Sequence, residues 1–285
     1  MVYCGGGTVD DSNNVYIVYC YDPSKDKWTN LRQLPVKLFG LGQVNGKLVS
    51  VGGKKNNLRT NEMYTYDERS RKWKQTIPCM PTARCAPGVV SLQSALVVAG
   101  GGDTISGSHT DIVEIFRPDT LQWYKTDPLP TRCQDVSLVA IDNTCYALGG
   151  YKWPSHLNQA LYASVDDLLC NAVPANQIAH SGRSDTQSAW KTLPDTPTYQ
   201  PTAAVLASKL LAVGGRKTSP YVGANKKEVY MFSPSTNSWI YVSDLPAPRY
   251  STAVAGLSST EILVIGGCDG CRVNTMYKGT LCLKL

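Results

Sequence analysis

An all-β fold of about six radial, four-stranded sheets is what the sequence predicts, and three recurring marks predict it. The first is a glycine pair closing a short apolar run, seen as VYCGG, LVSVGG, LVVAGG, YALGG, LLAVGG and LVIGG. Its leading residues, Gly5, Gly52, Gly100, Gly149, Gly214 and Gly266, stand 47, 48, 49, 65 and 52 residues apart. The second mark is tryptophan: Trp28, Trp73, Trp123, Trp190 and Trp239 follow those glycines by 23, 21, 23, 41 and 25 residues. The third is an aromatic seven residues before its tryptophan, at Tyr21, Tyr66, Phe116 and Phe232. A period near ~50 residues with three marks in register signals repeated supersecondary units rather than two unrelated domains.

Each unit reads as a succession of short strands. Val89-Val90 and Leu96–Ala99, Asp135–Ile141 and Cys145–Leu148, and Thr202–Leu206 and Leu210–Val213 are β-rich runs, and Asp22-Pro23, Arg117-Pro118 and Ser233-Pro234 mark turns. Several short strands per repeat, with almost no amphipathic helix, imply blades arranged in a ring. Val165 takes the aromatic's place in the fourth unit, and Val165–Leu169 reads as the end of a strand. The extra length of that unit then falls in Leu169–Ser188, at the end of the blade away from the glycine pairs. The blades span approximately residues 1–35, 36–84, 85–132, 133–197, 198–249 and 250–285, in a single domain. By strand count the first blade lacks its inner strand and the last its outer one. The glycine pairs allow positive φ and close approach of neighbouring chains, and the tryptophans and their aromatic partners fill the wedges between blades.

The order of apolar strand, Gly-Gly, aromatic, Trp, then Met/Leu-Pro and Arg resembles the kelch repeat. Cys79-Met80-Pro81-Thr82-Ala83-Arg84, Leu129-Pro130-Thr131-Arg132 and Leu245-Pro246-Ala247-Pro248-Arg249 carry the closing part of that pattern. Leu34-Pro35 and Leu193-Pro194 lack its arginine. The resemblance implies a six-bladed kelch-type β-propeller of four-stranded antiparallel blades that binds a protein partner on the loop face around its central opening. Relatives of this kind that carry a BTB domain present substrates to a ubiquitin ligase. No BTB domain lies in these residues, so that link stands as an alternative reading.

Composition narrows the chemistry. Charged residues make up 18% of the chain and the formal net charge is +6, which fits a globular protein with no membrane span. Ten scattered cysteines, and a start with no signal-peptide pattern, point to a reduced, cytoplasmic setting. A pI near 8.7 without stacking aromatics among the basic residues disfavours nucleic acid. The three histidines, His109, His156 and His180, fall in separate stretches, so neither a metal nor another cofactor is expected. The copper-oxidase and sialidase types of propeller enzyme are disfavoured with them, and the chain is expected not to be an enzyme. Cys268 and Cys271 have CxxC spacing without a second pair, which is a weak redox or metal signal.

What remains is a loop face where basic residues outnumber acidic ones. Lys54, Lys55, Arg59, Lys152, Arg216, Lys217, Lys226, Lys227 and Arg272 fall there, against Asp10, Asp11, Asp103 and Asp269. Such a face favours an acidic peptide segment, because arginine pairs bidentately with carboxylates. The expected contacts are Arg59, Arg84, Arg132, Arg216 and Arg249, with Tyr199 and Tyr250 supplying apolar area.

Overall fold

The computed structural model describes residues 1–5, 16–37, 39–102, 108–175, 188–218 and 224–281. It is a six-bladed β-propeller in which every blade is an antiparallel meander. Blade two is made of Gly40–Val44, Lys47–Val51, Met63–Asp67 and Lys72–Thr76. Blade three is made of Gly88–Leu92, Ala95–Ala99, Val113–Arg117 and Gln122–Thr126, and blade five of Thr202–Leu206, Lys209–Arg216, Asn225–Ser233 and Ser238–Asp244. Inner strands of blades two to six pack side by side in chain order. Among the described residues the terminal blades have three strands each: Val2–Gly5, Val18–Asp22 and Lys27–Asn30 in blade one, Ala253–Gly256, Glu261–Ile265 and Met276–Thr280 in blade six.

The aromatic marks are the mortar. Tyr21, Tyr66, Phe116 and Phe232 are the direct cross-strand partners of Trp28, Trp73, Trp123 and Trp239, with ring centroids 5.0 to 5.5 Å apart. Each indole from blade two to blade five also donates its Nε1–H to a carbonyl of the preceding blade. Trp73 reaches Arg32 O at 2.8 Å, Trp123 Pro78 O at 3.1 Å, Trp190 Asp127 O at 3.1 Å and Trp239 Pro194 O at 2.8 Å. One side chain thereby supplies apolar area within its blade and a hydrogen bond across the seam.

Blade four departs from the pattern. Its first three strands are Ser137–Ile141, Thr144–Leu148 and Ala160–Ser164, and its outer strand is the short Lys191–Thr192. Val165–Cys170 is a helix, not the end of a strand as the pattern suggested. Ser164 caps it by accepting from the Asp167 amide at 3.0 Å, and Asp166 and Asp167 place acidic groups in the first turn. The helix begins beside Asn143, in the turn between the blade's first two strands, at the end away from the glycine pairs. Val173–Pro174 then crosses back and adds a fifth strand to the outer edge of blade three. Asp127 Oδ2 receives both Asn171 Nδ2 (2.7 Å) and the Ala189 amide (2.8 Å), pinning the two ends of the excursion together. Positions 176–187 of the expected insertion lie outside the described residues.

Candidate partner-binding face

Glycine pairs turn the chain at one end of each blade, and the segments that link blades close on them. Gly100 and Gly101 have φ of +63° and +104°, and a Cβ on Gly100 would stand 2.5 Å from Cys133 O, so only glycine is accommodated. The Gly53, Gly101 and Gly215 amides donate to Arg84 O, Cys133 O and Arg249 O at 2.8, 2.8 and 2.9 Å. The second-to-third-strand connections and the inter-blade segments therefore share one face.

Two of the expected contact residues are not on its surface. Arg84 is fully buried and Arg249 is 1% exposed. Arg84 Nη1 donates to Gly100 O (3.1 Å) and Ile112 O (2.6 Å), Nε to Met80 Sδ, and Nη2 to the buried Glu114 carboxylate. Arg249 Nη1 donates to Gly266 O (2.9 Å), and its guanidinium lies over the Tyr277 ring at 4.2 Å. Both side chains brace the next blade from within, which removes them from a docking surface. Arg132 is one residue out of register. Cys133 holds the position of Arg84, so Arg132 falls at that of Ala83, points outward and pairs with Asp111 at 3.3 Å.

At blades three, five and six the residue in that inner position donates to the carbonyl of the first glycine. Arg84 serves Gly100 O and Arg249 serves Gly266 O; Thr198 Oγ1 serves Gly214 O at 2.7 Å. In blade four Cys133 cannot, and Gln159 Nε2 reaches Gly149 O at 3.1 Å instead. The partner changes to match: Glu114 opposite Arg84 is replaced by Leu161 opposite Cys133 and by Tyr277 opposite Arg249. A buried cation is found with a carboxylate or an aromatic face, and a thiol with an apolar side chain.

Ion pairing trims the face's charge further. Lys55 pairs with Glu62, Lys226 with Glu228 and Lys227 with Asp244, while Lys54 is buried. Arg59, Lys152, Lys217 and Arg272 are exposed. Asp10, Asp11 and Asp103 lie outside the described residues. Arg216 is 9% exposed, with its guanidinium 4.5 Å from the centroid of the half-buried Tyr250 ring. Tyr199, also half-buried, exchanges both backbone hydrogen bonds with Arg216.

Beside this pair lies a group that the repeat pattern did not indicate. Tyr151 packs against His109 (5.7 Å) and His156 (5.0 Å), and His156 reaches Tyr250 (6.4 Å). His109 Nε2 accepts the Trp153 amide at 3.0 Å, and His156 Nδ1 donates to Gln200 Oε1 at 2.6 Å. Burial lowers the pKa of both imidazoles, with the Arg216 charge adding to the effect at His156, so both are neutral near pH 7. The signal was in plain view: Trp153 is the one tryptophan that keeps no register with the repeat. Among the described residues no three His, Cys, Asp or Glu side chains converge as a metal site, and His180 lies outside them. Cys268 is half-buried and bridged through its backbone to Tyr250 and Arg272; Cys271 is exposed.

Asp135 stands at the rim, just before the inner strand of blade four. The residue is exposed, yet the protein around it desolvates the carboxyl and pushes it from 3.8 up to about 6 against a lowering hydrogen bond from Gln134. A folded-state value above the unfolded one means the native carboxyl binds its proton more tightly. Its contribution to stability therefore falls as pH rises from about 4 to about 6 and stays unfavourable above. Asp135→Asn is expected to raise the melting midpoint at pH 7.5 and leave it unchanged at pH 3.5, read by thermal denaturation at the two values.

The fold and this face define a propeller whose repeated geometry lies in its blades and whose chemical variety lies in one set of loops. The Kelch motif model matches residues 1–35, 83–130 and 197–246, and the chain belongs to the kelch-repeat β-propellers. It is similar to Kelch-like protein 41a of Danio rerio, 26% identical over 51% of this chain and 24% of that protein. Kelch-like protein 40 of Mus musculus is 29% identical over 53% of this chain and 24% of its own length. Kelch-like protein 25 of Xenopus tropicalis is 24% identical over 86% of this chain and 40% of its own. The chain thus spans 24% to 40% of the length of these relatives. No helix among the described residues is long and apolar enough to cross a membrane.

Proposed function

We propose that this propeller is a protein-binding module that holds an acidic, extended segment of its partner across the central opening, in a cytoplasmic setting and without catalysis. The observation that carries the reading is Arg216. Its cation is held over Tyr250 at the rim, with the half-buried Tyr199 bonded to its backbone, and the exposed Arg59 and Lys152 belong to second-to-third-strand connections of other blades. A guanidinium already ordered by an aromatic face loses little freedom on meeting a carboxylate, and the low-dielectric surroundings strengthen the contact. Arg59 and Arg132 supply outer charge that speeds encounter more than it prolongs residence. The proposal covers recognition alone.

The test is a titration of a partner captured from the source organism. Arg216→Lys keeps the charge but loses the planar fork, and together with Arg59→Ala it is expected to weaken binding by about 2 kcal/mol, roughly thirtyfold. Lys25→Ala with Lys72→Ala, in and beside third-to-fourth-strand turns on the opposite face, is expected to change nothing measurable. Loss of binding in the second pair with none in the first places the partner on the other face and overturns the reading.

A further inference from the structure

Resting on that reading, we infer that the acidic segment carries a proline and docks in the polyproline conformation, its pyrrolidine ring against Trp153 and Tyr151 and its carboxylates toward Arg216 and Lys152.

The anchor is an exposed indole on a fixed mount. Trp153 is 61% exposed, while its amide is held by His109 of the neighbouring blade at 3.0 Å. Its ring meets Tyr151 nearly at right angles, 82° with centroids 6.4 Å apart. Two perpendicular rings make a notch with apolar walls, and walls whose backbone is already ordered bind without a large entropic cost. From this notch the rings of Tyr151, His156 and Tyr250 follow one another at 5.0 and 6.4 Å and end under the Arg216 cation. Apolar anchor and positive charge thus belong to one continuous track across blades three to six.

Hydrogen bonding decides the conformation of what lies on it. A segment that binds by adding a strand needs free main-chain donors and acceptors on its host. At this rim they are already occupied. Gln134 and Tyr151 exchange both backbone bonds (3.0 and 2.7 Å), as do Tyr199 with Arg216 (2.9 and 2.8 Å) and Tyr250 with Cys268 (3.1 and 3.0 Å). The partner is therefore read through side chains, with its own backbone left to water. That is the state of a polyproline helix, which has no internal hydrogen bonds and whose prolines have no N–H to leave unsatisfied. Exposed Lys152, next to the notch in sequence, and Arg216 at the far end of the track favour carboxylates in the flanking positions.

The probe is a display library of random dodecapeptides selected on the intact chain. The enriched peptides are expected to place at least two Asp or Glu within a few residues of a proline. Trp153→Ala, at an exposed position and with its melting midpoint measured as the folding control, is expected to weaken the best of them about tenfold. Replacing that peptide's proline by alanine should cost a similar factor on the native chain and nothing further on Trp153→Ala, since the two changes remove one contact. Acidic winners without proline, or winners indifferent to Trp153→Ala, overturn this inference and leave the acidic-segment reading standing. Enrichment without acidic residues, or no enrichment at all, overturns both.

Discussion

Arg84→Ala is expected to destabilise the propeller by about 3–5 kcal/mol, because it leaves the Glu114 carboxylate buried without its counter-charge. Neither residue has any exposed side-chain surface, and desolvation already lowers the arginine's pKa against the pull of Glu114. The same change strips donors from Gly100 O and Ile112 O, leaving Glu114 with Thr82 Oγ1 at 2.7 Å. Blade four shows how the chain itself does without the pair: cysteine and leucine replace arginine and glutamate, and a glutamine in the position of Ile112 serves the glycine carbonyl. Arg84→Cys, Glu114→Leu and Ile112→Gln made together are therefore expected to recover more than half of the loss. Urea unfolding of the two variants beside the native chain decides the matter. A triple variant no more stable than Arg84→Ala would show that the charge pair is not what the blade depends on.

Trp123→Ala should have an effect of similar size, about 3–5 kcal/mol, by a different route. Trp123 is 5% exposed, packs on Phe116 with centroids 5.2 Å apart and bonds to Pro78 O of blade two. Its removal opens a cavity at the seam and orphans a carbonyl. Trp123→Phe restores most of the volume but not the Nε1 donor, and is expected to retain a loss of about 1 kcal/mol. The graded series separates packing from the hydrogen bond, again by denaturant midpoint. Equal losses in both variants would mean that the indole N–H, not the ring, carries the seam.

Gly52, Gly100, Gly149, Gly214 and Gly266 were legible from the sequence because each answers a local demand: blades two to six each take a left-handed backbone at the same turn. The Tyr/Phe–Trp pairs were legible because a hairpin of fixed length makes residues seven apart direct partners. The three strands that each terminal blade has among the described residues were likewise a matter of counting in register. Val165–Cys170 was misread because a six-residue helix is too short for periodicity to separate from a strand, and its evidence lay in the Ser164 cap.

The site was legible only in part, and the reason is distance. Arg132 and Arg84 look equivalent in sequence, yet a one-residue shift turns one outward to solvent and the other inward to a glutamate 30 residues away. Whether an arginine binds a partner or braces a blade depends on what stands opposite it. The track of Trp153, Tyr151, His156, Tyr250 and Arg216 joins residues of blades four, five and six, and its contact between His156 and Tyr250 spans 94 positions of sequence. No local pattern encodes that meeting. The sequence by itself determined the blades, since their marks repeat within reach of one another; only the packing of the blades side by side decided which charges are buried as braces and which reach the surface.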